Sequence, residues 1–156
     1  MEVVFSEKIT INNDDCVDSD ASSDATQTPH ITIHKNNTYS STTYSIEING
    51  INIYDWFFDT TQDCCETTDE NMFVGMIKYD SNSYTIDIPS TPFTISLDLL
   101  IESSTYHGDE KTEVYLRLSY AGGDNINIMF SNCHNGYYAH PVRLSKNGKT
   151  LWHSFI

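Results

Sequence analysis

Apolar and polar positions alternate one for one along much of this chain. Ile95, Leu97, Leu99 and Ile101 interleave with Thr94, Ser96 and Asp98, and Val114, Leu116, Leu118 and Tyr120 interleave with Tyr115, Arg117 and Ser119. A period of two puts successive side chains on opposite faces of an extended backbone, so each run predicts a strand with one face in a core and one in water. Strand signals of this kind, bounded by turn residues, cover 31–35, 44–49, 51–58, 72–79, 84–88, 93–101, 113–120, 125–131, 137–144 and 150–155. No segment sustains a helical period. The predicted fold is therefore all-β, an antiparallel β-sandwich or barrel-like sheet of short strands joined by hairpin turns.

Three Asn-Gly pairs mark turns and set registers. A two-residue loop at Asn49-Gly50 places Ile48 opposite Ile51 and Ile46 opposite Ile53, and the apolar faces agree. The same loop at Asn147-Gly148 places Leu144 opposite Leu151, Val142 opposite His153 and His140 opposite Phe155, with Arg143 facing Trp152 as a cation–π pair. At Asn135-Gly136 a two-residue loop would mix the faces. A three-residue loop, His134-Asn135-Gly136, with Gly136 left-handed in a bulge, sets Ile128 against Val142, Ile126 against Leu144 and Phe130 against His140. The last three strands are thus expected to form one meander.

The periodicity fails between Asn12 and Pro29, where Asp, Ser and Thr dominate and ordering the backbone would bring little burial in return. Residues 1–30 read as an acidic arm or linker with short strands at its start, and residues 31–156 as a single β domain. A chain of 156 residues has room for one ordinary core, and its 10 Tyr, 7 Phe and 2 Trp supply large buried areas despite an apolar fraction of 38%.

Charge narrows the partners. Against 22 Asp and Glu stand 8 Lys and Arg, a net charge of -14, and no segment gathers the basic residues into a patch that could neutralise phosphates. Nucleic acid and anionic membranes are excluded as partners; a protein partner, in particular a basic one, is favoured, and an oligomer is compatible. The opening "MEVVFSEKIT" has neither the basic start nor the apolar run of a signal peptide. The expected location is cytoplasmic or within a viral particle. Reducing surroundings then leave Cys16, Cys64, Cys65 and Cys133 as thiols. Heavy use of Asn, Ile, Tyr and Asp with only two arginines points to AT-rich coding, as in a low-GC bacterium, a protist, a phage or a large DNA virus.

Two groups of residues could carry chemistry. In the meander register Asn132, Tyr138, His140 and His153 fall together at the polar end of an apolar face; two neutral imidazoles there could share a divalent metal, or one could act as a general base. The structural alternative is that they satisfy one another and the sheet end, and no third ligand is fixed by spacing. The second group is the thiols Cys64 and Cys65, with Cys133 and His134 as more distant members of a thiol or metal cluster. Vicinal cysteines in an extended chain point to opposite sides, and Asp63 and Glu66 disfavour a thiolate between them, so structural cysteines fit better than a nucleophile. Phosphate-loop, nucleophile-elbow, zinc-protease and paired C-x-x-C signatures are missing from the sequence. No cofactor is expected.

Gln62-Asp63-Cys64-Cys65-Glu66 followed by Asn135-Gly136-Tyr137-Tyr138, with Val142 closing the second motif, resembles a small uncharacterised family of bacterial and phage proteins with QDCCE and SNGYY-type motifs. The resemblance spans about residues 44–144 and implies a β-rich domain with no assigned reaction. Cys133-His134 and Ala139-His140-Pro141 depart from the family pattern. Taken together, these features predict a non-enzymatic β-sandwich module for protein interaction or structure, a component of a viral or phage particle. The rivals are a small metal-binding or thiol/His enzyme and an acidic immunity or inhibitor protein that covers a basic partner.

Overall fold

The computed structural model describes residues 1–12, 28–61, 67–134 and 139–156, and of Tyr106 the backbone alone. Over these residues the chain forms β1 (Glu2–Ile11), β2 (His30–Asn37), β3 (Ser41–Ile48), β4 (Ile51–Asp59), β5 (Thr67–Val74), β6 (Ile77–Tyr79), β7 (Ser83–Asp87), β8 (Phe93–Tyr106), β9 (Asp109–Tyr120), β10 (Ile126–His134), β11 (Pro141–Lys146) and β12 (Lys149–Phe155). They make two antiparallel sheets of six strands. Sheet A runs β1-β8-β9-β10-β5-β6 and sheet B runs β12-β11-β4-β3-β2-β7. The sheets pack face to face as a β-sandwich, as the alternation predicted.

The inward faces are the apolar phases of the strands. Sheet A contributes Ile95, Leu97 and Leu99, Val114, Leu116 and Leu118, and Ile126, Ile128 and Phe130; sheet B answers with Ile31, Ile33, Tyr44, Ile46, Tyr54, Trp56, Phe58, Val142 and Leu144, all buried. Phe130 sits at the centre, its ring stacked on Trp56 (centroids 4.9 Å apart) and on Phe58 (5.0 Å). The Trp56 indole N–H, which could not be left unsatisfied in this layer, donates to the Ile128 carbonyl of the opposite sheet at 3.3 Å.

Three tight turns have left-handed residues at both central positions: Asn49-Gly50 (φ 51° and 81°), His107-Gly108 (50° and 85°) and Asn147-Gly148 (50° and 79°). This is the type I′ geometry, whose twist matches that of the flanking strands. His107-Gly108 carries the β8–β9 hairpin out to Tyr106 and Asp109, past the 93–101 and 113–120 expected from periodicity.

Several registers differ from expectation, for identifiable reasons. Segment 72–79 is two strands, because Gly75 (φ 61°) with Met76 turns the chain so that Val74 pairs with Ile77. In the Asn49-Gly50 hairpin Ile48 does face Ile51, but a bulge after Glu47 and Asn52 leaves Ile46 opposite Tyr54 instead of Ile53. The Asn147-Gly148 hairpin bulges at the same place, so Leu144 faces Trp152, Val142 faces Ser154 and Arg143 faces His153. Each bulge changes the phase of the second strand. The first buries Tyr54, Trp56 and Phe58 and turns Asp55 outward; without it Asp55 would enter the core. The second turns Trp152 toward Trp56 (6.2 Å) and leaves His153 exposed. Arg143 lies 4.8 Å over the ring of its β4 neighbour Phe57, and the expected pairing with Trp152 is absent.

The C-terminal meander does not form. β10 is flanked by β9 and β5 in sheet A, and β11 by β12 and β4 in sheet B, so neither has a free side for the other. Ile126, Ile128 and Phe130 enter the shared core from sheet A, and Val142 and Leu144 enter it from sheet B. Glu2–Ile11, from the stretch read as an arm, is a ten-residue edge strand whose Ile11 joins the core. Asn135 and Gly136 lie outside the described residues, and with them the predicted three-residue turn.

Candidate functional site

At one end of the sandwich β10 finishes with two inward polar residues, Asn132 and His134, both buried. They continue the phase of Ile126, Ile128 and Phe130, so the strand carries polar side chains into the layer where the core ends. Sheet B brings His140 and Ile156 to the same end. The His140 N–H donates to the Ile156 carbonyl at 2.7 Å, and the Ile156 N–H donates to the His140 carbonyl at 2.9 Å. The Asn132 side-chain amide donates to that same Ile156 carbonyl at 3.0 Å, joining the two sheets. The His140 ring meets Phe58 edge-on, and its Nδ1 lies 3.7 Å from Asp59 Oδ1, longer than a hydrogen bond.

Of the residues singled out from sequence, Asn132 and His140 therefore converge on Ile156. His153 does not join them: the bulge at Leu151 places it on the solvent face opposite Arg143. Cys133 and His134 are successive on β10 and point to opposite faces; the half-buried Cys133 sits between Lys111 and Thr67 on the outer face of sheet A. Cys64, Cys65 and Tyr138 lie outside the described residues, as do the segments that carried the family resemblance. Among the described residues no three His, Cys, Asp or Glu side chains are grouped to hold a metal ion.

Sequence reasoning passed over two other polar groups, which sit at the open edges between the sheets. At the β1 edge Glu7 shares the inward phase of Phe5, Ile9 and Ile11. It accepts a hydrogen bond from Tyr54 Oη at 2.6 Å and one from Lys146 Nζ at 2.9 Å, while that ammonium lies 5.5 Å from the centre of the Tyr54 ring. Burial works against the charge on Glu7, but the hydrogen bonds from Tyr54 and Lys146 outweigh it and hold the carboxyl below its ordinary range. Burial, and then the neighbouring Glu7, push the Tyr54 hydroxyl up.

At the opposite edge the same three residue types recur. Lys35 of β2 lies 5.8 Å from the centre of the buried Tyr44 ring and 3.6 Å from Glu70 Oε1 of β5. Burial, then Glu70 and Asp69, push the Tyr44 hydroxyl up. A signal for both groups was present in the sequence: Glu7, Lys35, Glu70 and Lys146 are charged residues in phase with apolar ones, Glu7 between Phe5 and Ile9 and the other three at one end of an apolar run. A charge at such a position needs a partner across the gap.

On the outer face of sheet B, Arg143, Phe57, Asp55, Ser45, Thr43 and Asn36 line a shallow depression. On the outer face of sheet A, strand pairing sets Glu102, Glu113, Ser131 and Asp69 side by side across four strands, with Lys111 bonded to Glu113 at 2.8 Å. No family model matches the chain, and neither a curated protein nor a solved structure matches it.

Proposed function

We propose that this chain is a non-enzymatic β-sandwich that acts by contact with a basic protein partner. The observation that carries this reading is the row Glu102, Glu113 and Asp69 on the outer face of sheet A, within a chain whose net charge is -14. Glu102 and Glu113 are like charges on adjacent strands, of which Lys111 offsets only the second, so the face keeps a net negative charge. A cationic surface laid over it would offset that charge and would be steered to the face over long range. The histidines support the same reading. His140 is tied by its backbone to Ile156 and His153 lies on a different face, which favours contact over a site shared by the two imidazoles.

The test is a binding measurement with the partner recovered by cross-linking from the source material and then purified. A basic partner whose affinity falls at least tenfold between 50 and 300 mM salt, on the order expected for an electrostatic interface, supports the proposal. A partner without basic character, or an affinity indifferent to salt, contradicts it. So does stoichiometric zinc or iron in chelator-free protein that is lost on His140→Ala.

A further inference from the structure

On the outer face of sheet B, strand pairing sets Arg143, Phe57, Thr43 and Asn36 in one row across β11, β4, β3 and β2, with Ser145 and Asp55 side by side in the next row. Leu144 and Trp56, which separate the two rows on β11 and β4, point into the core, so all six side chains share the solvent face. Together they line a depression of about 560 Å³, within the roughly 300–1,000 Å³ of small-molecule sites. Across four strands spaced about 4.8 Å apart it is roughly 14 Å long.

Its two charged groups are held in place with bonding capacity to spare. The Arg143 guanidinium lies 4.8 Å over the Phe57 ring. Stacking occupies the face of the planar fork and leaves its N–H donors, which meet no hydrogen-bond or ion-pair partner among the described residues. Asp55 Oδ1 accepts from the Ser45 hydroxyl at 2.7 Å and from the Asn52 amide at 3.1 Å, while Oδ2 accepts from none of the described residues. The Asn36 amide and the Thr43 and Ser145 hydroxyls are likewise without side-chain partners among the described residues. The charges of Arg143 and Asp55 cancel, so the lining is neutral in a chain of net charge -14.

We propose that this depression binds a neutral sugar chain, its hydroxyls shared between the Arg143 fork and the open oxygen of Asp55. A sugar hydroxyl both donates and accepts, so adjacent hydroxyls satisfy a donor fork and an acceptor carboxylate at once. A bare anion would meet Asp55, a bare cation would meet Arg143, and an apolar ligand would leave both without partners. A peptide strand is disfavoured by the topology: β2, β3, β4 and β11 each have neighbours on both sides, so they offer no backbone edge for strand addition. The bulge in the β3–β4 hairpin builds the site, since it turns Asp55 and Phe57 outward as it buries Trp56. The site lies on the sheet opposite the acidic row and does not rest on the basic-partner reading.

The experiment is a titration of the full-length, isotope-labelled protein, followed by two-dimensional NMR, with cellotriose, mannotriose and triacetylchitotriose. Sodium acetate, free glycine and N-acetyl-triserine amide are the anionic, zwitterionic and peptide controls. Saturable shifts centred on Asn36, Thr43, Asp55 and Arg143 are expected with at least one trisaccharide and with none of the controls. Arg143→Lys, which keeps the charge and removes the fork, should weaken that trisaccharide about tenfold. Asp55→Asn, which removes the charge and keeps an oxygen for Ser45 and Asn52, should weaken it comparably, whereas it would strengthen an anion held at Arg143. No saturable shift with any of the three trisaccharides overturns the proposal. So do equal shifts of these residues with acetate, glycine or the peptide, or undiminished binding by Arg143→Lys. Should Asp55→Asn lose its native spectrum, Arg143→Lys and the controls still decide it. Sugar binding in a protein for which no basic partner is found would leave this site in place and remove only the contact function.

Discussion

Tyr54→Phe removes a single oxygen from a buried ring and leaves the packing with Ile46 and the core unchanged. What it removes is the 2.6 Å hydrogen bond to Glu7 that ties sheet B to the edge strand of sheet A. A hydrogen bond to a charged acceptor contributes about 1.5–3 kcal/mol. The Glu7 and Lys146 side chains keep 28% and 37% of their exposure, which lets water compete, so the lower end applies. Tyr54→Phe should therefore destabilise by roughly 1.5 kcal/mol at pH 7, lowering the urea midpoint by about 0.5–1 M.

The pH dependence is the sharper part of this prediction. Because the Glu7 carboxyl is held below its ordinary range, the unfolded chain takes up that proton first as pH falls. Its contribution is complete above the ordinary carboxyl value and disappears as pH drops through the folded-state value. The Tyr54 hydroxyl is pushed up, so at high pH the unfolded chain loses its proton near the ordinary value of about 10 while the folded chain keeps it. Stability supplied by the phenol is present below that pH and is lost above it. Phenylalanine lacks the alkaline dependence and keeps only the part of the acid dependence that Lys146 supplies to Glu7. The difference between wild type and Tyr54→Phe, measured by urea unfolding from pH 3 to pH 11, should be largest between about pH 5 and pH 9 and shrink on both sides. A difference that is flat across this range, or a variant as stable as wild type at pH 7, refutes the clamp.

Three further outcomes are expected. Phe130→Ala, which empties the space against Trp56 and Phe58, should cost about 3–5 kcal/mol in the same unfolding assay and alter the near-ultraviolet tryptophan signal; a loss below about 1 kcal/mol contradicts the central stack. Gly148→Ala meets no atom within 4 Å but must hold φ near 79°, so it should cost about 1 kcal/mol through backbone strain alone, with the folded spectrum unchanged outside the β11–β12 hairpin. Tyr44, Tyr54 and Tyr115 all have hydroxyls pushed up, by burial first and then by neighbouring carboxylates, so phenolate absorbance should stop short of all 10 tyrosines until the protein unfolds at alkaline pH. Full titration of every tyrosine near pH 10 in folded protein contradicts that burial.

Alternation made the faces of the strands legible in the sequence. Leu97, Leu116 and Ile128 are inward because their neighbours are polar, and no tertiary information was needed. Alternation does not say which strand lies beside which. Ile128 and Val142 present the same pattern whether they are neighbours in one sheet or meet across two, and the pairing of β10 with β9 and β5 is decided by sides already occupied. Asn49-Gly50 and Asn147-Gly148 announced their turns, but the bulges at Ile53 and Leu151 did not announce themselves, and each moved every residue beyond it to the other face. That shift separated His153 from His140. At the candidate site Asn132 was legible as a polar residue in an apolar phase. Lys35, Glu7, Glu70 and Lys146 were legible in the same way but only as single anomalies, since their partners lie on strands distant in sequence.

The most direct test of the contact function is the affinity of Glu102→Gln/Glu113→Gln for the purified basic partner at 50 mM salt. Both side chains lie on the outer face of sheet A, where Glu113 bonds Lys111 and accepts from Tyr115, so the native spectrum of the double variant is verified before binding is measured. Binding at least tenfold weaker than wild type, with the gap closing at high salt as screening removes the charge contribution, is the result this account predicts. Undiminished affinity in a natively folded variant would contradict it.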